Sequence, residues 1–234
     1  MNFEIVATSF FSTDYASAGD ALAGVTRPPI QPAYPLLVAR ARRFTSLVTQ
    51  MHVQVIGELP IERERPPASV FATVHGEIRT AERLIEEFPL VSGARFALSV
   101  HNSPAGVYAV AVGSHAPTTT VTGNHALAGG WLEAVLTVLG GTPVVLSIAD
   151  EPVGAVFRGP TTTIGGAAAF LLQPVASGRR ATLALVDRDR APTEPDMLHT
   201  LAQLVDAIGK PAPSTLVLGS VQAGTELELH LEAR

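Results

Sequence analysis

Residues 118–149, TTTVTGNHALAGGWLEAVLTVLGGTPVVLSIA, decide the reading of the fold. Thr118 to Val121 is a short β-branched run of strand length. From about His125 to Leu139, Leu127, Trp131, Ala134, Val135 and Val138 recur at three-and-four spacing, the mark of a helix with one apolar stripe, and Gly140-Gly141 closes it. Val144 to Ala149 then runs almost without polar alternation, as a strand covered on both faces does. Such strands alternating with helices predict an α/β protein with a mostly parallel sheet covered by helices.

The same rhythm extends upstream. Gly24 to Pro35 holds Pro28-Pro29, Pro32 and Pro35 and reads as a connector. Leu36 to Leu59 places Phe44, Leu47, Val48, Met51, Val55 and Leu59 on one helical face, which predicts a long helix. Ser69 to Val74 is a strand bounded by Gly76, Thr80 to Phe88 a helix, and Phe96 to Val100 a further strand. Pro104 opens a helix running to about Val112, since a proline in the first turn loses no intrahelical bond.

Downstream the pattern changes. Gly166 to Pro174 and Ala181 to Asp187 read as consecutive strands joined at Ala176-Ser177-Gly178, an antiparallel hairpin at a sheet edge. Met197 to Ile208 reads as a helix, and Leu216 to Leu218 and Thr225 to Leu231 as closing strands. In the last, Leu227, Leu229 and Leu231 alternate with Glu226, Glu228 and His230, so one face is expected to be wet. No internal repeat divides the chain, and one domain over residues 1–234 is expected.

Composition excludes several kinds of chemistry. No cysteine occurs in 234 residues, so disulfides, thiolate catalysis and thiolate metal sites are all absent. The net charge is −5, and the longest basic cluster, Arg40, Arg42 and Arg43, is too small to neutralise a phosphate backbone, so no nucleic-acid partner is expected. Lys210 is the only lysine and lies in Gly209-Lys210-Pro211, a poor place for a Schiff base. Glu4 stands where a signal peptide needs positive charge, and no apolar run approaches the roughly 18 residues of a membrane span. A cytoplasmic location is the resulting expectation.

Four clusters carry potential chemistry. His125 follows Val121-Thr122-Gly123-Asn124 and opens a helix, where unpaired backbone N–H groups polarise a reactive group; equally, Asn124 can be an ordinary N-cap and His125 a first-turn residue. His101-Asn102-Ser103-Pro104 lies at a strand-to-helix junction, but without the Gly-x-Ser-x-Gly setting of a nucleophilic serine. His75 and Glu77 flank Gly76 and offer two metal ligands with no third, so no metal is expected. Asp150-Glu151 ends a strand, where carboxylates do acid/base work or cap the next element. Gly140-Gly141-Thr142 and Gly165-Gly166 lack the spacing and lysine of a phosphate loop, so no nucleotide or other cofactor is expected.

As an ordered set, Phe96-Ala-Leu-Ser-Val-His-Asn-Ser-Pro-Ala-Gly106, His115-Ala-Pro-Thr-Thr-Thr-Val121, Gly123-Asn-His-Ala-Leu-Ala-Gly129 and Trp131-Leu-Glu-Ala134 resemble the N-terminal half of a β-ketoacyl synthase. More closely, the chain resembles the short ketosynthase-like chain length factor subunits of bacterial aryl polyene gene clusters. The likeness runs from about Phe71 to Pro174 and is supported by Val70-Phe-Ala-Thr-Val-His-Gly-Glu77. It implies a thiolase-like fold with a truncated C-terminal half. Laying the ketosynthase pattern on Pro117, Val121 and Ala128-Gly129 puts His125 at the position of the acyl-accepting cysteine, or Asn124 if the turn differs by one residue. The two histidines that active members take from their C-terminal half have no counterpart.

The resemblance therefore implies a non-catalytic subunit that forms a heterodimer with an active ketosynthase and meets acyl carrier protein only indirectly. Its interface or tunnel positions would be Thr118, Thr120, Val121, His125, Leu127, Trp131 and Asn102, although Leu127 and Trp131 can equally pack in the chain's own core. The alternatives are a stand-alone thioester hydrolase or decarboxylase using His125 with Asn124 or Asn102, and a purely structural homodimer.

Overall fold

The structure, a computed structural model, describes residues 1–33, 36–42, 45–62, 64–154, 157, 165–175, 179–188 and 196–233. Eight strands form one sheet: β1 (Asn2–Ser12), β2 (Ala68–Thr73), β3 (Thr118–Thr122), β4 (Val144–Asp150), β5 (Gly166–Gln173), β6 (Arg179–Asp187), β7 (Ser214–Gln222) and β8 (Thr225–Leu231). Their order is β3-β2-β4-β5-β1-β6-β8-β7. The helices are α1 (Ala18–Ala23), α2 (Ala39–Arg42), α3 (Leu47–Gly57), α4 (Ile78–Glu86), α5 (Gly93–Ala97), α6 (Ser103–Val112), α7 (Ala126–Leu139) and α8 (Met197–Gly209).

The α/β expectation holds, but the sheet is mixed. Only β2 with β3 and β2 with β4 pair in parallel; β5, β1, β6, β8 and β7 follow in antiparallel pairings. The expected hairpin of β5 and β6 does not form, because β1 lies between them and pairs with both. Both strands are thus interior, and the turn proposed at 176–178 lies outside the described residues. β1 went unread in the sequence: its buried and exposed positions alternate imperfectly around an irregularity between Ile5 and Ala7.

Other expectations shift locally. The helix expected over Leu36–Leu59 is broken into α2 and α3, with Ser46 capping α3 by accepting a bond from the Thr49 amide; Phe44 lies outside the described residues. Phe96 to Val100 is not a strand: α5 ends at Ala97, Leu98 is a turn residue, and the Ser99 amide donates back to the Phe96 carbonyl. The wet face of β8 is also corrected. Glu226 and Glu228 are 2% and 5% exposed, because Arg188 pairs with both and covers them.

Two packed layers sandwich the sheet. On one face, α7 and α8 cover Val70, Leu146, Phe170, Leu183 and Leu229; on the other, α3 and α6 cover Phe71, Val145 and Ala169. Alternation along each strand sends neighbours to opposite faces, so β2 and β4 are buried throughout and mostly apolar. α7 lies unusually close to β2. A Cβ at Gly130 would stand 2.7 Å from that of Ala72, so only glycine permits the approach. Among the described residues no helix is long and apolar enough to cross a membrane.

Candidate functional site

The parallel strands β2, β3 and β4 end on the same side of the sheet, and the segments that follow them form one rim. β2 runs into Val74-His75-Gly76-Glu77, β3 into Gly123-Asn124-His125, and β4 into Asp150-Glu151. Gly123 takes φ +99°, a conformation that favours glycine, and its N–H donates to the Val74 carbonyl at 3.2 Å. The β2 and β3 turns are thereby tied together.

His125 is the residue that this geometry presents. The expected strand, tight turn and helix are all present, and α7 begins directly after His125, which is its N-cap. Asn124 is therefore one residue short of capping. His125 and Asn124 are both exposed, and the His125 side chain makes no capping bond. Among the described residues no carboxylate or hydroxyl bonds its imidazole, so no paired base and nucleophile is assembled there. Ser103 is buried in the first turn of α6, with no bond to any described histidine, while Asn102 is exposed at the N-cap of that helix. His101 adjoins the rim: its Cβ lies 3.3 Å from where a Cβ on Gly76 would stand.

The carboxylates of the rim hold structure together. Asp150 is 4% exposed and accepts bonds from Thr73 Oγ1 (2.8 Å), the Val74 amide (2.9 Å) and the His75 amide (3.0 Å), which pins the β2 turn. Burial pushes its pKa up, and the bonds it accepts pull it back down. Glu77 and Glu151, at 3% and 1% exposure, reach between α3 and α4. Burial raises Glu77, and burial together with the Glu77 charge pushes Glu151 up to about 7 against the bonds it accepts. Their spacing in sequence gave no sign of this meeting. Among the described residues no group of three or more histidines and carboxylates could hold a metal.

His52 is a further titratable group that its motif did not disclose. It is fully buried on α3 with Nδ1 2.8 Å from Ser147 Oγ, its Nε2 has no partner, and its ring stands edge-on to Phe71 at 5.3 Å between centroids. Burial pushes it down to about 3, so it is a neutral core residue.

The remaining candidate positions divide by burial. Trp131 is 0% and Leu127 4% exposed; Trp131 packs on Phe170 and Phe3 at ring separations of 4.8 and 6.3 Å. Both belong to the chain's own core and offer no surface to a partner. Thr118 to Thr122 instead forms the free edge of the sheet. Because the Pro117 carbonyl accepts from the Ser69 amide on β2, strand alternation turns Thr119 and Val121 toward β2 and aims the backbone groups of Thr118 and Thr120 outward. Between α2 and α5–α6, the last of which packs against β2 and β3, runs an apolar cleft of about 650 Å³ bordered by Leu37, Val38, Leu98, Val100 and Val110, with Asn102 in its wall. Val100 and Val110 are 45% and 86% exposed there, so this flank presents open apolar surface.

Comparison with known proteins places this arrangement. The fold matches a chain of the ketosynthase (ApeO) in complex with its chain length factor (ApeC) from Xenorhabdus doucetiae, with TM-score 0.74 and 18% identity over 98% of this chain and 99% of that one. The ishigamide ketosynthase/chain length factor matches at TM-score 0.59 and 14% identity, covering 80% of this chain and 68% of that one. A ketosynthase from module 6 of the bacillaene synthase of Bacillus subtilis 168 matches at TM-score 0.59 and 8% identity, covering 81% of this chain and 42% of that one. These likenesses establish a thiolase-like ketosynthase fold. No curated protein matches the sequence. The sequence profile of the β-ketoacyl synthase N-terminal domain matches residues 19–213, a span that includes β2, the Gly123–His125 turn and α7, and the chain therefore belongs to the β-ketoacyl synthase N-terminal domain family.

Proposed function

We propose that the chain is a chain length factor: a ketosynthase-like subunit without condensing activity that forms a heterodimer with an active β-ketoacyl synthase in the cytoplasm. The complex would extend an aryl polyene or fatty acyl chain held on acyl carrier protein, which delivers its cargo to the ketosynthase partner. One observation carries the reading. The strand, turn and helix that would present a nucleophile present the His125 imidazole instead, in a chain without cysteine.

The open β3 edge supports a partner there. Outward backbone groups at Thr118 and Thr120 can extend a ladder into a neighbouring strand, and α6, with its exposed Val110, packs against β3. Val121 turns its backbone inward and contributes through its half-buried side chain, while His125 and Asn102 lie exposed at the rim.

The test is co-expression with the ketosynthase encoded nearest to it, followed by size-exclusion chromatography with light scattering. A one-to-one complex, no thioester turnover by the chain alone, and full activity of a complex reconstituted with His125→Ala are expected. Turnover of a thioester by the isolated chain, lost in His125→Ala, would instead establish an independent hydrolase or decarboxylase. A self-associated species that ignores the ketosynthase would leave a structural homodimer.

A further inference from the structure

Glu77 and Glu151 approach the same joint from different elements. Glu77 Oε1 accepts from Ser46 Oγ (2.8 Å) and Thr49 Oγ1 (2.6 Å) on the α3 side, and its Oε2 accepts from Thr80 Oγ1 (2.9 Å) on α4. Glu151, reaching over from the end of β4, accepts from the Val48 amide of α3 (3.3 Å) and the Arg79 amide of α4 (3.0 Å). Each carboxylate thus bonds the first turns of both helices. Among the described residues neither has an ion-pair partner, because the Arg79 guanidinium turns to Glu82 at 3.2 Å.

We propose that Glu77 and Glu151 form a proton-controlled clamp between α3 and α4, closed when the pair holds one proton and loosened when both carboxylates are ionised. Two buried carboxylates in one joint repel when both carry charge, and burial leaves little water to screen them. The other charged and titratable groups around the joint are Arg79, Glu82 and Arg83 from α4, Asp150 from β4 and His75 from the β2 turn. α3 contributes hydroxyls and a backbone amide to the pair. A cleft of about 380 Å³ bordered by Ser46, Thr80, Arg83 and Glu151 gives water a route for the proton. Desolvation and the Glu77 charge put the Glu151 transition near neutrality, within reach of ordinary conditions.

The clamp has a line to the surface. Glu77 starts α4 at the end of the turn whose Val74 carbonyl holds Gly123 and whose Gly76 lies against His101. Loosening the joint would therefore move the rim beside β3. Any consequence for partner binding rests on the function proposed above, whereas the clamp itself does not.

The test is hydrogen exchange followed by NMR on the chain alone. Protection of the Val48 and Arg79 amides, corrected for intrinsic exchange, is expected to fall at least tenfold between pH 6 and pH 8.5. In Glu151→Gln, which removes one of the two charges, it is expected to stay constant. Protection independent of pH in the wild type, or an equal fall in Glu151→Gln, would overturn the clamp. A carbon-13 titration of the glutamate side chains in the wild type requires no variant: a carboxyl titrating near pH 7 is expected, and every glutamate titrating below pH 5 would refute the proposal. If exchange behaves as expected while the ketosynthase does not bind, the clamp stands and only the partner reading fails.

Discussion

The two edges of the sheet are built differently. β3 is a five-residue strand that pairs with β2 in unbroken register, has exposed Thr118, Thr119 and Thr122, and carries no proline, lysine or bulge within it. β7, at the far edge, is irregular twice, between Val217 and Gly219 and between Ser220 and Gln222, and Leu218, Gly219 and Ser220 are buried. A bulge twists a strand and spoils its outward hydrogen-bond ladder, which is how folded proteins protect an edge from association. One edge is therefore blunted and the other is left ready for pairing, so association should be directional.

The contrast can be broken at several points. The largest effect is expected from Trp131→Ala in the core between α7 and the sheet, where lost packing against Phe3 and Phe170 should cost about 3–5 kcal/mol of stability in urea denaturation. Partner binding by the remaining folded fraction should be unchanged. A variant that stays stable but no longer binds would return Trp131 to the interface.

Acidity should act on two buried groups at α3 in opposite directions. His52, lowered to about 3 from its ordinary value of 6.5, takes up a proton more readily when unfolded, so its contribution to stability rises with pH between about 3 and 6.5. Glu151, raised to about 7 from 4.5, binds a proton more tightly when folded, so its contribution falls with rising pH between about 4.5 and 7, by roughly 3 kcal/mol. These two groups alone would give a climb to about pH 4.5, a nearly level stretch to 6.5 and a decline to about 7, to which Glu77 and Asp150, also raised by burial, add a further fall. Glu151→Gln should convert the level stretch into a continued rise; identical pH profiles for the two proteins would remove Glu151 from the account.

Thr120→Pro addresses the β3 edge itself. Its backbone faces outward, so proline removes a donor that the chain's own ladder does not use. The isolated chain should keep its far-UV spectrum while the affinity for the ketosynthase falls about a hundredfold, or roughly 2.7 kcal/mol. Undiminished binding by calorimetry would show that β3 is not the contact. The smallest effect belongs to β7: Thr215→Lys loses the bond to His230 Nδ1 at 2.9 Å and should cost under about 1 kcal/mol of stability, with no change in binding.

Much of this was legible in the sequence, and the failures have physical causes. α7 and β4 were readable because a three-and-four stripe and an unbroken apolar run each report local geometry. The turn presenting His125 was readable for the same reason. Phe96 to Val100 misled because a short apolar run suits a strand or a helical turn equally well, and its exposed Phe96 is a surface residue rather than a core one. β5 and β6 misled because adjacency in sequence suggested a hairpin, whereas β1 from the start of the chain inserts between them.

The sequence by itself determined the alternation of strand and helix, the absence of any thiol, and the strand, glycine turn and helix start that carry His125, since each is read from the chain's own local pattern. Tertiary structure alone decided the mixed order of the sheet, the burial of Trp131 and His52, and the meeting of Glu77 with Glu151. Those depend on contacts such as the one between Glu151 and Val48, 103 positions apart, whose closure is governed by the packing of the whole core rather than by any local pattern.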